Sequence, residues 1–134
     1  MSRPTLLLIE DNPLNSELFA DLLANSGVSI RIACTAEQGI RLAMTELPDL
    51  ILMDIGLPGL DGLAATKLLK KEKATAQIPI VALTAHAMPG DKEKALAAGC
   101  AAYLTKPINT REFADKVISL LPASWHGLGP SSPA

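Results

Sequence analysis

Glu10 and Asp11 stand directly after four apolar residues in LLLIED, so the chain carries two carboxylates to the edge of its dry interior. A third acid, Asp54, ends a second apolar run in LILMDIGLPG. Thr84 ends another in IVALTAHA, and Lys106 follows AAYLT. If these side chains meet, the three carboxylates repel one another and resist ionising together unless positive charge sits among them. Lys106 supplies one cation. A divalent ion with oxygen ligands supplies the rest, and few protein oxygens with room for water favour Mg²⁺ over Ca²⁺. A carboxylate such as Asp54 can then act as a nucleophile, as in enzymes that form an aspartyl-phosphate. Phosphoryl transfer asks mainly for positioning and neutralised charge, and the Thr84 hydroxyl can take a phosphoryl oxygen.

Bringing these residues together is the task of the elements that carry them. The runs Thr5 to Ile9, Leu50 to Met53 and Ile80 to Leu83 are apolar on both faces, which predicts strands covered on both sides, as in parallel sheets. VSIRIAC alternates and reads as an edge strand from Val28 to Cys34, and AAYL reads as a short fifth strand. Asn12 with Pro13 predicts an N-cap and first turn. Leu14, Leu18 and Leu22, with Phe19 and Leu23, make one apolar face, and Gly27 is placed to end that helix. Thr35 and Gln38 have capping-box spacing and open a second helix through about Thr45. Asp61-Gly62 opens a third to about Lys73, and Asp91 a fourth that Gly99 closes. Asn109 and Glu112 cap a last helix with Phe113, Val117 and Leu121 inward, stopped by Pro122.

The alternation βαβαβαβαβα predicts an α/β fold: a doubly wound, flavodoxin-like, five-stranded parallel sheet with right-handed crossovers and five helices on both faces. In such a sheet the binding crevice lies outside the carboxyl ends of the strands, where the strand order switches. With order 2-1-3-4-5, strands one and three are neighbours. Glu10, Asp11 and Asp54 then converge, flanked by Thr84 and Lys106.

The 134 residues, 49% hydrophobic, suit one domain, which needs no disulfide or metal staple. A net charge of -2 and 3% aromatics argue against a nucleic-acid surface. Cys34 and Cys100 lack metal-ligand spacing and read as small core residues. No segment approaches the ~20 apolar residues that span a bilayer, and the N-terminal apolar run is too short for a signal peptide. The expected location is the cytoplasm, with no membrane partner. The Gly-, Pro- and Ser-rich stretch ASWHGLGPSSPA reads as a disordered tail over 122–134, leaving 1–121 as the domain.

At these residues the chain resembles a response-regulator receiver domain of two-component signalling. The matching points are Glu10-Asp11, Asp54 with Pro58 and Asp61-Gly62, Thr84, and Lys106-Pro107, in order, over about Thr5 to Leu121. The wording IEDNPLN and GCAAYLTKPI is most similar to stand-alone receivers of the cell-division regulator type and to receivers of hybrid histidine kinases. The resemblance implies that Asp54 takes a phosphoryl group from a phosphohistidine on a kinase or phosphotransfer protein. It implies that Asp11, Asp54 and the backbone carbonyl of Gly56 ligate Mg²⁺, with Glu10 helping directly or through water, and that Lys106 binds the phosphoryl group. It makes Thr84 and Tyr103 a switch pair that remodels the face of the fourth helix, fifth strand and fifth helix for a downstream regulatory protein. Such a chain is a phosphoacceptor module with at most self-catalysed phosphorylation and dephosphorylation, not an enzyme on an external substrate.

Other readings stay open on the sequence. The chain could be a receiver excised from a hybrid kinase. A small aspartyl-phosphate phosphatase of the haloacid-dehalogenase type needs a second acid two residues after the nucleophile, where this chain has Gly56. A flavodoxin-like flavin binder needs a hydroxyl- and glycine-rich first loop, where the acids of IEDNPLN would repel the phosphate.

Overall fold

The structure, a computed structural model, describes residues 5–23, 28–54, 62–84, 90–105 and 119. Along the chain these form β1 (Thr5–Ile9), α1 (Pro13–Leu22), β2 (Ser29–Ala33), α2 (Ala36–Glu46), β3 (Leu50–Asp54), α3 (Gly62–Lys71), β4 (Ile80–Thr84), α4 (Asp91–Ala98) and β5 (Ala102–Thr105). The strands make one parallel sheet in the order β2-β1-β3-β4-β5, as the sequence predicts. The expected last helix from Asn109 and the stretch from Pro122 onward lie outside the described residues.

The unbroken apolar runs have the predicted consequence. On one face of the sheet Leu7, Ile9, Ile51, Met53, Ile80 and Ala82 pack with Ala36 and Ala43 of α2, Ala65 and Leu69 of α3, and Ala95 of α4. On the other face Leu6, Leu8, Leu50, Leu52, Val81 and Leu83 pack with Phe19 of α1 and Leu23. Helices therefore cover both faces, and the strand order reverses between β1 and β3.

Local chemistry sets the helix ends. Asn12 Oδ1 accepts from Leu14 N at 2.9 Å and Pro13 opens α1. Thr35 Oγ1 accepts from Gln38 N at 3.1 Å, while Gln38 Oε1 reaches back to Cys34 N at 2.9 Å. Gly99 closes α4 in the left-handed region at φ 114. Glycine also sets how closely α2 lies on β1. A Cβ at Gly39 would fall 2.6 Å from Ile9 Cγ1, so only a hydrogen fits.

Several expectations need correction. The buried stripe of α1 is Ser16 and Phe19, continued by Leu23, whereas Leu14 is 75% exposed and Leu18 46% exposed. Cys100 is a core residue as expected, but Cys34 is exposed at the end of β2. β2 spans one residue less at each end than Val28 to Cys34, and its alternation is only half used. Val28 is buried and Ile30 packs, but Ile32 is 41% exposed. α4 does open at Asp91 as expected, preceded by Gly90, also in the left-handed region, with no side-chain cap bond. β5 lies one residue later than AAYL, at Ala102–Thr105.

Candidate functional site

Strand register brings the acids together. Ile9 of β1 pairs with Met53 of β3, so the next residues, Glu10 just past β1 and Asp54 at the end of β3, stand side by side on neighbouring strands. Glu10 N donates to Ala33 O at 3.0 Å, which ties the first acid to the end of β2. Asp11 follows, just ahead of the Asn12 cap. One carboxylate oxygen from each of Glu10, Asp11 and Asp54 lies within 4.8 Å of the others. Glu10 and Asp54 are buried and Asp11 is exposed. The group is thus rooted in the core on one side and open on the other. Glu10 Oε2 accepts from Asn12 N at 3.3 Å, so the turn that starts α1 also holds the first acid.

The other strands extend this row. Asp54 pairs with Leu83, one residue before the end of β4, and Thr84 pairs with Thr105, the last residue of β5. Thr84 is buried at that end. Tyr103 lies on β5, half-buried against the core cluster shared by α2, α3 and α4. Lys106 and Gly56 lie outside the described residues, although Lys106 directly follows Thr105 in the chain. The predicted residues that are described, Glu10, Asp11, Asp54, Thr84 and Tyr103, thus lie on the final stretches of neighbouring strands or just past them. The place is the switch point of the sheet, where crevices form in doubly wound folds.

The donor set suits a hard cation. It offers carboxylate oxygens and no sulfur or imidazole, and three unit negative charges at this spacing call for a counterion. Few protein oxygens beside an open side favour an ion that keeps several waters, as Mg²⁺ does.

Two features are not visible in the motif points. Lys70 reads as part of a solvated basic run, KLLKKEK. Instead its Nζ donates to Ala76 O at 3.0 Å and Ile78 O at 2.7 Å, holding the connection between α3 and β4. Burial pushes its ammonium down from the ordinary value, partly offset by the neighbouring Cys100. The second feature is a notch of about 340 Å³ between α1 and β2, lined by Glu10, Asp11, Ser16, Glu17, Ile32 and Cys34 among others. Its one signal in the sequence is the alternation of β2, which puts Ile32 and Cys34 on the face of Val28 and Ile30. The small Ser16 and Ala20 of α1 leave that end uncovered.

Residues 6–118 match the family profile described as response regulator receiver domain. The polar-differentiation response regulator DivK of Brucella ovis is 42% identical over 117 residues, 87% of this chain and 95% of that protein. Among solved structures, the receiver domain of sensor histidine kinase PA1611 from Pseudomonas aeruginosa PAO1 has magnesium ion coordinated in its active site cleft. It shares 35% identity at a TM-score of 0.81, covering 90% of this chain and 98% of that one. The Vibrio cholerae chemotaxis protein CheY4 superposes at a TM-score of 0.83 over 90% of this chain and all of that one, with 21% identity, a likeness of fold alone. Among the described residues no helix is long and apolar enough to cross a membrane.

Proposed function

The chain belongs to the response regulator receiver family of two-component signalling, and we propose that Asp54 is its phosphoacceptor in a cytoplasmic phosphorelay. The observation that carries this reading is the meeting of Asp54 with Glu10 and Asp11 within 4.8 Å at the switch point of the sheet. The receiver occupies residues 1–121 in this reading. The donor is a phosphohistidine on a histidine kinase or histidine phosphotransfer protein. A carboxylate oxygen of Asp54 attacks phosphorus, the P–O bond forms as the P–N bond breaks, and the departing imidazole nitrogen keeps the electron pair and takes a proton from solvent. The product is an acyl phosphate on Asp54. The Thr84 hydroxyl donates to a phosphoryl oxygen and the Lys106 ammonium pairs with the group. Glu10, Asp11 and Asp54, with the backbone carbonyl of Gly56, are the residues that would hold Mg²⁺. When bound, that ion supplies the positive charge that lets the carboxylates and the phosphoryl oxygens share one pocket.

The output is a change of partner, not turnover of an external substrate. Thr84 drawn toward the phosphoryl group frees space that Tyr103 fills, altering the surface of α4, β5 and the helix expected after it, for a downstream regulatory protein. Charge-assisted bonds from Lys106 and Thr84 are worth roughly 1.5–3 kcal/mol each. A full inversion of a two-state equilibrium needs about 5.5 kcal/mol. Two such bonds total roughly 3–6 kcal/mol, which meets that need only at the upper end, so the partner completes the shift where they fall short.

The test mixes the chain with Mg²⁺ and a panel of phosphorylated histidine phosphotransfer proteins and follows radiolabelled phosphate. Asp54→Asn is expected to abolish labelling, and excess chelator to stop transfer while the far-ultraviolet circular dichroism stays unchanged. Undiminished labelling of Asp54→Asn would remove Asp54 as the acceptor.

A further inference from the structure

We propose that the free edge of β2 pairs with β2 of a second copy of this chain, giving a weak two-fold dimer with one sheet running through both. β2 ends the sheet and is bonded to β1 on one side only. Along a strand, successive residues turn their main-chain groups to opposite sides. Glu10 N donates to Ala33 O at 3.0 Å, so Ala33, Arg31 and Ser29 face β1, and Ile30 and Ile32 turn their N–H and C=O groups outward. Ser29, Arg31 and Ile32 are exposed and Ile30 is half-buried, so among the described residues the edge is open along most of its length. Such an edge is a template for another strand, and natural edges are blunted with lysine, proline or a bulge. β2 has neither lysine nor proline, and its register with β1 runs unbroken from Ser29 to Ala33. Its one charge, Arg31, is already answered, because Nε and Nη2 donate to Glu46 Oε1 and Oε2 at 3.0 and 2.8 Å. That fork neutralises the guanidinium on its own chain, so Arg31 does not guard the edge.

The occupant is a second copy because β2 answers itself. Antiparallel pairing about a two-fold axis at Arg31 sets Ile30 opposite the partner's Ile32, and Ile32 opposite the partner's Ile30. Each pair exchanges N–H···O=C bonds through the outward groups and sets β-branched side chains side by side. The axis also brings the two Arg31 side chains together, which like charges alone would oppose. Each arrives with its own Glu46, so opposite charges alternate across the axis. A register centred on Ile32 would need Cys34 N, which Gln38 Oε1 already holds at 2.9 Å. So short an edge falls below the ~1,200 Å² of a stable interface, and the dimer forms only at high concentration. The inference uses no residue of phosphoryl transfer and stands whether or not Asp54 accepts phosphate.

Sedimentation equilibrium of the full chain from about 10 μM to about 1 mM is expected to show the mass rising from one chain toward two. Ile32→Lys places a cation on the exposed edge, and Ile32→Pro removes an N–H that β1 does not use. Both are expected to stay monomeric throughout, Ile32→Lys with unchanged circular dichroism. Glu46→Gln leaves Arg31 unanswered at the axis and is expected to weaken association about two- to fivefold, a loss that added salt reduces. In a mixture of isotope-labelled and unlabelled chain, isotope-filtered spectra should connect Ile30 to the partner's Ile32. A mass fixed at one chain up to the highest concentration would overturn the proposal. So would a dimer that survives both Ile32 variants, which joins through another face, or one whose filtered contacts omit β2. A chain that dimerises in this way yet takes no phosphate would remove only the phosphoacceptor reading.

Discussion

Lys70 shows how much one side chain can hold. Its stem lies against Gly99, where an added Cβ would fall 2.7 Å from Lys70 Cγ, and its ammonium joins two carbonyls of the turn before β4. Lys70→Met keeps the stem and removes both bonds, leaving two carbonyls without that donor. The expected cost is about 1–3 kcal/mol in urea unfolding, whereas the exposed Lys71→Met should change stability by less than about 0.5 kcal/mol. Cys100 lies beside this cluster, its Sγ 4.0 Å from Thr66 Oγ1, and burial pushes its thiol above the ordinary 9.0. Below that pH the thiol is protonated folded or unfolded and adds no pH dependence. Above it the unfolded chain loses the proton first, binds fewer protons than the folded chain, and stability falls. Lys70 has the opposite sign: its lowered value makes stability rise with pH as the medium approaches 10.5. Cys100→Ala should therefore flatten the alkaline fall in the urea midpoint, with the remaining slope upward. A fall of unchanged steepness would locate it in another group.

At the scale of elements, the contact between α2 and β1 positions the site. Ile9 is wholly buried and directly precedes Glu10. Gly39→Ala should gain about 0.8–1 kcal/mol of helix propensity, but the new methyl overlaps Ile9 in a packed core, an overpacking cost of about 1–3 kcal/mol. Net destabilisation is expected, and because Ile9 adjoins the acidic pair, Mg²⁺ affinity should weaken as well. A stabilised Gly39→Ala with unaltered Mg²⁺ affinity would mean that α2 can retreat without disturbing β1.

The same elements show what the sequence makes legible. The runs of β1, β3 and β4 announce strands dry on both faces because continuous apolar stretches cannot face water, and Asn12 and Thr35 announce helix starts because their side chains fit orphan amides. The acids at strand ends follow from those assignments. The buried side of α1 does not, because Leu14 and Leu18 compete with Phe19 and Leu23 at the same helical spacing. The packing of Phe19 and Leu23 on the sheet decides it, turning Leu14 outward. The notch is legible only in the alternation of β2, for a related reason: it arises where Ser16 and Ala20 are too small to cover Ile32 and Cys34, a property of two elements together. Lys70 is hidden because a basic run at a helix end already has a sufficient local explanation in the helix dipole.

For the whole molecule, the triad is a liability that the fold must carry when no cation is bound. Two unit charges within 4.8 Å of each other repel by at least roughly 3 kcal/mol at an effective dielectric of about 20. Solvent around the exposed Asp11 screens part of this. Removing one charge with Asp54→Asn should therefore stabilise the chain in chelator by about 1–2 kcal/mol, a rise of about 3–8 °C in Tm for a domain of this size. Mg²⁺ should act in the reverse order. At a hundredfold excess over its Kd a ligand that binds only the folded state adds about 2.7 kcal/mol. If Asp54 is one of the ligands, as proposed, the wild-type chain should gain this in full, and Asp54→Asn should gain less, having lost that oxygen and part of the field. Thermal melts of both chains, each in chelator and in Mg²⁺, make the comparison complete. Melting together in chelator, with equal gains from Mg²⁺, would mean that Glu10, Asp11 and Asp54 do not share one electrostatic pocket, and with that the charge argument for phosphoryl transfer at Asp54 would fail.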